Sequence, residues 1–366
     1  MNYRLAISTV ALLAASIGTP LGEANAAAQG GGLGFNLYFG DLHSHTSYSD
    51  AWEGTPWDAY QAAKDAGADF MATTDHVAFW NAYTGLALDP EEWADTLAAA
   101  DYYNRSKKFV AMPAYETWML GHLGEVNVFN VRDLPPKEQL GYRFDRLPDF
   151  YDWLAEQPGG IGQFNHPYYM TDDYENYSHY SESRDRAMNL IEVWNTEFTE
   201  DSYVMALDAG WHLMPTANSD THSPDWITGL PVRTVLLAGK RTPAELYGAM
   251  RARRGYATLD QNLRVEYSLN GAVMGSILAS PMGVYTAEIH IEDPDDSPED
   301  TITLVEIVSD HGEVVASMAG DDTVFDWSVT LESGTARYYY VRVSTASGLA
   351  GGDGVTAWTA PVWTGR

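Results

Sequence analysis

Short apolar runs alternate with amphipathic stretches along residues 35–260 of the 366-residue chain. Runs suited to buried strands are Phe35–Leu42, Phe70–Thr73, Phe109–Ala114, Val126–Val131, Gly160–Phe164, Leu190–Trp194, Leu213–Ala217 and Val232–Leu237. Each is too short for an ordinary helix and is flanked by polar or turn-forming residues. Helix-like segments lie between them, at Trp57–Ala66, Glu91–Asn104, Leu147–Glu156, Ser202–Ala209 and Pro243–Arg253. Thr55-Pro56 and Thr242-Pro243 place a capping hydroxyl and a first-turn proline ahead of two of these helices. Such βα alternation predicts a parallel sheet, open or closed into a barrel. From about residue 261 no helical period remains. Arg264–Leu269, Val284–Ile291, Ile302–Val308, Val324–Leu331 and Tyr338–Val343 favour strands, with turn-rich segments such as Asp293-Pro294-Asp295 between them. Residues 261–366 are therefore expected to form an antiparallel β-sandwich, at roughly a hundred residues the usual size for that module.

The amino-terminal stretch does not fit either pattern. Arg4, the apolar run Leu5 to Ile17 and Ala24-Asn25-Ala26 have the order of a cleavable signal peptide over residues 1–26. The apolar run is shorter than the ~20 residues needed to span a bilayer. Residues 27–34 are glycine-rich and precede the first strand, so they read as a flexible linker, not a nucleotide-binding turn. The mature chain is expected in the periplasm or outside the cell, with no membrane span. Cysteine is absent, which excludes disulfides, thiolate ligands and cysteine nucleophiles. With 21 Lys+Arg against 51 Asp+Glu, the net charge of −30 opposes binding to nucleic acid or anionic lipid and leaves a small molecule as the expected partner.

Chemistry concentrates at the strand ends. Asp41-Leu42-His43-Ser44-His45 closes the first predicted strand, and two histidines at i and i+2 face the same side. Alone, such a pair serves packing as readily as metal binding. It recurs, however, with Asp75-His76, Glu116, Gly121-His122, Asn165-His166 and Asp220-Thr221-His222, so that six of the ten histidines follow predicted strands. In α/β folds those ends open onto one face, where active sites form. Imidazole and carboxylate without thiolate suit Zn, Mn or Fe in a hydrolytic centre. The donors are too many for one ion, so two or three divalent ions are implied, with Glu116 the natural bridge. Asp41 and Asp75 are expected to orient imidazoles. Glu192 reads as a site wall or a buried structural carboxylate, and Arg233 as a contact for an anionic substrate or a structural ion pair. His179, His212, His290 and His311 lie off the pattern.

In their order, the H-x-H, Thr-Asp-His, Glu, His, His and Asp-x-His motifs over residues 35–260 resemble the PHP family of metallophosphoesterases, named for polymerase and histidinol phosphatase. The Glu-Thr…Gly-His spacing looks most like the subgroup that includes carbaryl-type hydrolases. The resemblance implies a distorted (β/α)7 barrel. It implies one ion held by His43, His45, Glu116 and Asp220, a second by Glu116, His122 and His166, and a third by Asp50, His76 and His222. Asp50 stands where some members have histidine, and Ala51 replaces a common glycine. The expected activity is that of an exported phosphoesterase in which a hydroxide shared by the ions attacks phosphorus, with Glu116, Asp220 and His222 as the catalytic residues. A carbamate or carboxyl-ester hydrolase on the same site is the alternative, and a non-catalytic metal- or ligand-binding protein the second. An amidohydrolase-type barrel would need a bridging lysine. None of the five lysines (64, 107, 108, 137 and 240) follows a strand in the middle of the barrel.

Overall fold

The computed structural model describes residues 32–77, 87–118, 123–134, 146–167, 173–295, 297–332, 336–347 and 354–365. Apolar runs become strands close to their expected limits: β1 (Asn36–Asp41), β2 (Phe70–Thr73), β3 (Val110–Trp118), β4 (Glu125–Phe129), β5 (Ile161–Asn165), β6 (Met188–Asn195), the short β7 (Glu197–Phe198), β8 (Met214–Ala217) and β9 (Arg233–Ala238). Helices α1 (Pro56–Asp65), α2 (Pro90–Tyr103), α3 (Leu147–Glu156), α4 (Glu182–Asp185), α5 (Glu200–Asp208) and α6 (Pro243–Arg251) lie between them. Asp89 caps α2 through the Glu92 backbone N–H at 2.8 Å, while Glu92 accepts the Asp89 N–H at 2.9 Å. Ala59, Tyr60 and Ala63 of α1 meet Ala99, Ala100 and Tyr103 of α2 in one buried cluster. The small residues at helical spacing let the two helices lie close together.

The predicted parallel arrangement holds for six strands and fails for two. β1, β2 and β3 are parallel, as are β5, β6 and β8. β4 runs antiparallel between β3 and β5, and β9 antiparallel to β1. The connection 119–124 is shorter than the dozen or so residues a parallel crossover requires, so β4 must fold back as a hairpin. The long β8–β9 connection forms a loop instead of a crossover helix. The six co-directional strands still deliver their carboxyl ends to one face. The sheet curves until β8 lies beside β9, where Thr234 Oγ1 accepts the Ala217 N–H at 3.2 Å and meets Asn218 Oδ1 at 2.9 Å.

The carboxyl-terminal strands split between two layers. β11 (Arg264–Leu269), β12 (Ala272–Val273), β13 (Val284–Glu292) and β16 (Val324–Glu332) form a four-stranded antiparallel sheet. β14 (Ile302–Val308), β15 (Val314–Asp322), β17 (Tyr338–Thr345) and β18 (Val355–Thr359) instead extend the large sheet through β10 (Gly255–Thr258), and β19 (Val362–Trp363) pairs with β17. Val265, Tyr267 and Ile289 of the small sheet share one core with Val305, Val341 and Val343 of the extension. The expected sandwich is thus not cleanly delimited, because one layer is hydrogen-bonded into the large parallel-rich sheet. The residue permitting that junction is Gly255, where a Cβ would stand 2.2 Å from Val235 O. Among the described residues no helix is long and apolar enough to cross a membrane.

Candidate metal centre

β1 delivers the H-x-H pair, and the loop after β8 closes over it. His45 N–H donates to Thr221 O and Asp220 N–H to His43 O, both at 2.9 Å. Asp41 is buried between these segments, accepting His43 N–H at 2.9 Å and Ser219 N–H at 3.2 Å. Asp75 does the same for the next loop, taking Thr46 N–H at 2.7 Å, Thr46 Oγ1 at 2.7 Å and Ser49 Oγ at 2.8 Å. The expectation that these aspartates orient imidazoles is corrected for Asp41, which anchors loop backbone, while Asp75 reaches an imidazole only through Ser49, whose Oγ lies 3.4 Å from His45 Nδ1. Burial raises the Asp41 carboxyl to about 6.

Three groups of donors converge on Glu116, which is 1% exposed at the end of β3. In the first, His43 Nε2 lies 3.2 Å from Glu116 Oε2, 3.1 Å from Asp220 Oδ1 and 3.3 Å from His45 Nε2. His45 Nε2 lies 3.3 Å from Glu116 Oε2 and 3.0 Å from Asp220 Oδ1. In the second, His166 Nε2 is 3.3 Å from Glu116 Oε1 and 3.2 Å from Glu125 Oε2. In the third, Asp50 meets His222 Nε2 at 3.2 Å, His76 Nε2 at 3.6 Å and His45 Nδ1 at 3.8 Å. His76 Nδ1 returns to Glu116 Oε2 at 3.2 Å, joining this group to the first.

Donor atoms bound tetrahedrally at about 2.0–2.1 Å from one ion lie about 3.3 Å apart. The first group has that spacing. The electrostatics agree with the geometry. Burial opposes a charge on His43, yet Asp220, Glu116 and Glu192 drive its pKa well above the usual imidazole value. Against the same desolvation, Asp220 and Glu116 lift His45 to about 10. Burial works against ionised Glu116 and Asp50 too, but the surrounding histidines hold Glu116 well below the carboxylate range and Asp50 at about 2. A buried pocket of carboxylates that calls for positive charge, lined by imidazoles, fits divalent cations.

Of the nine residues expected at the site, His43, His45, Asp50, His76, Glu116, His166, Asp220 and His222 come together here. His122 lies outside the described residues. Glu125 was not anticipated. It opens β4, a strand that reads as apolar, and only the hairpin back from β3 turns it towards His166. The Arg233 guanidinium donates to the carbonyls of Ile227, Leu230 and Val232 at 2.6–3.0 Å, and its charge acts on buried Asp41. The off-pattern histidines pair elsewhere, His179 with Glu175, His212 with Asp185, His290 with Asp326 and His311 with Asp208.

The chain is structurally similar to a two-domain protein from Bacteroides vulgatus, described as containing a predicted PHP-like metal-dependent phosphoesterase. The TM-score is 0.51 at 16% identity, covering 90% of this chain and 96% of that one. The fold is PHP-like. Lower similarities are found with PsfC from Pseudomonas syringae (TM-score 0.38, 16% identity, 58% of this chain and 87% of that one) and with a lesion-specific endonuclease from Pyrococcus furiosus (0.36, 15%, 59% and 56%). No family model and no curated protein matches the sequence.

Proposed function

We propose that this chain is an exported metal-dependent hydrolase, most simply a phosphoesterase acting on a small molecule. The observation that carries this reading is Glu116: one buried carboxylate with Oε2 facing His43, His45 and His76, and Oε1 facing His166. His43, His45, Glu116 and Asp220 would hold one ion. Glu116, Glu125 and His166, with His122, would hold a second, and Asp50, His76 and His222 a third. Bound there, Zn, Mn or Fe supplies an acidified water and positive charge opposite the oxygens of the substrate. The chain's own part is to fix that arrangement and to manage protons. Asp220 is held by His43 O and Ser219 by Asp41, so the loop cannot drift from the H-x-H strand. His222 lies at the solvent side, 34% exposed, with Nδ1 2.9 Å from Asp220 O. That contact turns the Nδ1 proton towards the backbone and leaves Nε2 directed at Asp50, free to join the third ion.

Export rests on the leader-like residues 1–26. The division into a barrel over 35–260 and a β-sandwich over 261–366 is also part of the proposal. A second reading, closer to the carbaryl-type subgroup, has one observation in its favour. Among the described residues the carboxylates of the site pair with histidine and not with Lys or Arg. A phosphate site commonly recruits arginine, so a carbamate or ester is the substrate class to set against a phosphoester.

The test is hydrolysis by the purified chain with its metals quantified on the same sample. Phosphomonoester, phosphodiester, carbamate and carboxyl-ester chromogens are run beside duplex DNA and a His43→Ala control. Phosphoester turnover lost in the variant, with two or more ions per chain, supports the proposal. Turnover of carbamate or ester alone transfers it to the second reading, and stoichiometric metal with no turnover makes the chain a metal-binding protein. DNA cleavage would replace the small-molecule substrate. A chain that takes up no metal on reconstitution refutes the whole proposal.

A further inference from the structure

We infer that Glu192 is the positioning residue of the metal centre, setting His43, His166 and Asp220 together from a single buried carboxylate. The inference rests on reading the site as a metal centre. Glu192 sits on β6 with no exposure to solvent. Its Oε1 lies 3.0 Å from His43 Nδ1, 2.8 Å from Asn218 Nδ2 and 3.4 Å from Gln163 Nε2. Its Oε2 lies 2.7 Å from His166 N and 2.9 Å from Asn195 Nδ2. Four of these five neighbours are amide N–H groups, which only donate. Both oxygens are committed to accepting, so His43 Nδ1 is the fifth donor. The proton on Nδ1 leaves the lone pair of Nε2 pointing at the space between Glu116 and Asp220.

The other two contacts act on backbone and on a neighbouring side chain. His166 has φ 27° and Asp220 φ 49°, left-handed conformations that non-glycine residues keep only when their surroundings hold them there. The bond from His166 N–H to Glu192 supplies that hold directly. Asn195 reaches Asp220 Oδ2 at 3.3 Å while donating to Glu192, and so passes the constraint to the loop after β8. Ligands of the first and second groups are thereby referred to one point. A buried carboxylate that merely ties strands together would also make several hydrogen bonds. It would have no reason to select the imidazole, the backbone and the bridging amide of three separate site segments.

The test uses the full chain, stripped of metal and titrated with zinc against a chromogenic chelator. Glu192→Gln keeps the shape but turns an amide NH2 towards groups that themselves donate. A zinc affinity lower by roughly 10- to 100-fold, with an unchanged circular dichroism spectrum, is the expected result. Wild-type affinity in a variant that only melts earlier would make Glu192 a structural carboxylate and overturn the inference. A nitrogen-15 spectrum of the zinc-loaded wild type decides the case even where the variant does not fold. A proton on His43 Nδ1 supports the inference, and a proton on Nε2 refutes it. Wild-type chain that binds no zinc refutes the metal-centre reading itself and removes this inference with it, a result distinct from failure of the variant alone.

Discussion

Two groups of acids in this chain meet opposite fates. At the strand ends Glu116, Asp220 and Asp50 are interleaved with His43, His45, His76, His166 and His222, and their carboxyl groups are held below the usual range in spite of burial. At the foot of the carboxyl-terminal sheets Asp260, Asp293 and Asp300 come together without an imidazole. There burial, followed by the charges of Asp260, Asp300 and Asp295, raises Asp293 to about 7, and burial with neighbouring acids raises Asp300 as well. The pairing of each acid decides its protonation, and the net charge of −30 does not. One cluster is built to remain ionised around a positive centre. The other strains against its own like charge.

The largest expected effect comes from breaking the first cluster at its shared member. Glu116→Gln should lower kcat/KM by about 10^3-fold or more, since several kcal/mol of ion positioning depends on one carboxylate. A variant within tenfold of wild type would remove Glu116 from the centre. Stripping the metal with a chelator should abolish turnover and lower the melting temperature, by the equivalent of about 4 kcal/mol where the free metal had stood at a thousand times its Kd. Full activity after stripping, with no metal left by elemental analysis, would contradict the comparison at its root.

The second cluster is sharpened through pH. Asp293 is 4% exposed, and in the folded chain burial raises its carboxyl to about 7, above an ordinary aspartate. A raised carboxyl contributes stability while it is protonated, below its unfolded value of about 4, and loses that contribution as pH rises through about 7. Asp293→Asn should therefore stabilise the chain by on the order of 1–3 kcal/mol at pH 8 and by almost nothing at pH 4, measured by chemical denaturation. An equal effect at both pH values would show that the like charges do not burden the fold. The smallest effect is expected from His290→Ala, which removes an exposed pair with Asp326 remote from the centre. Metal content should be unchanged and stability altered by less than about 0.5 kcal/mol. Loss of a metal equivalent there would extend the centre beyond those strand ends.

Local pattern made much of this legible. Strand β2 and helix α3 have the limits that hydrophobic runs and turn residues predict, and β11 and β14 likewise, because their signals are contained in a few consecutive residues. The H-x-H pair and the other strand-end histidines were legible for the same reason: an alternating strand fixes which side chains share a face. What escaped was decided between distant segments. β10 was invisible because Gly-Tyr-Ala-Thr carries little hydrophobic pattern and becomes a strand only between β9 and β18. Glu125 became part of the site through the reversal of β4. Asp41 and Asp75 looked like partners for the imidazoles they adjoin, whereas the chain turns them onto loop N–H groups and leaves the remote Glu192 to meet His43.

The sequence alone determined the chemistry available: imidazole and carboxylate donors, no thiol, and strands that end where those donors stand. Tertiary structure decided which donor faces which. Distances of 3.0–3.3 Å among His43, His45, Glu116 and Asp220 join residues from three strand ends. They depend on sheet curvature, on the direction of each strand and on backbone held at positive φ. None of these is encoded in a local period, because each arises only when separate segments pack and satisfy one another's buried polar groups.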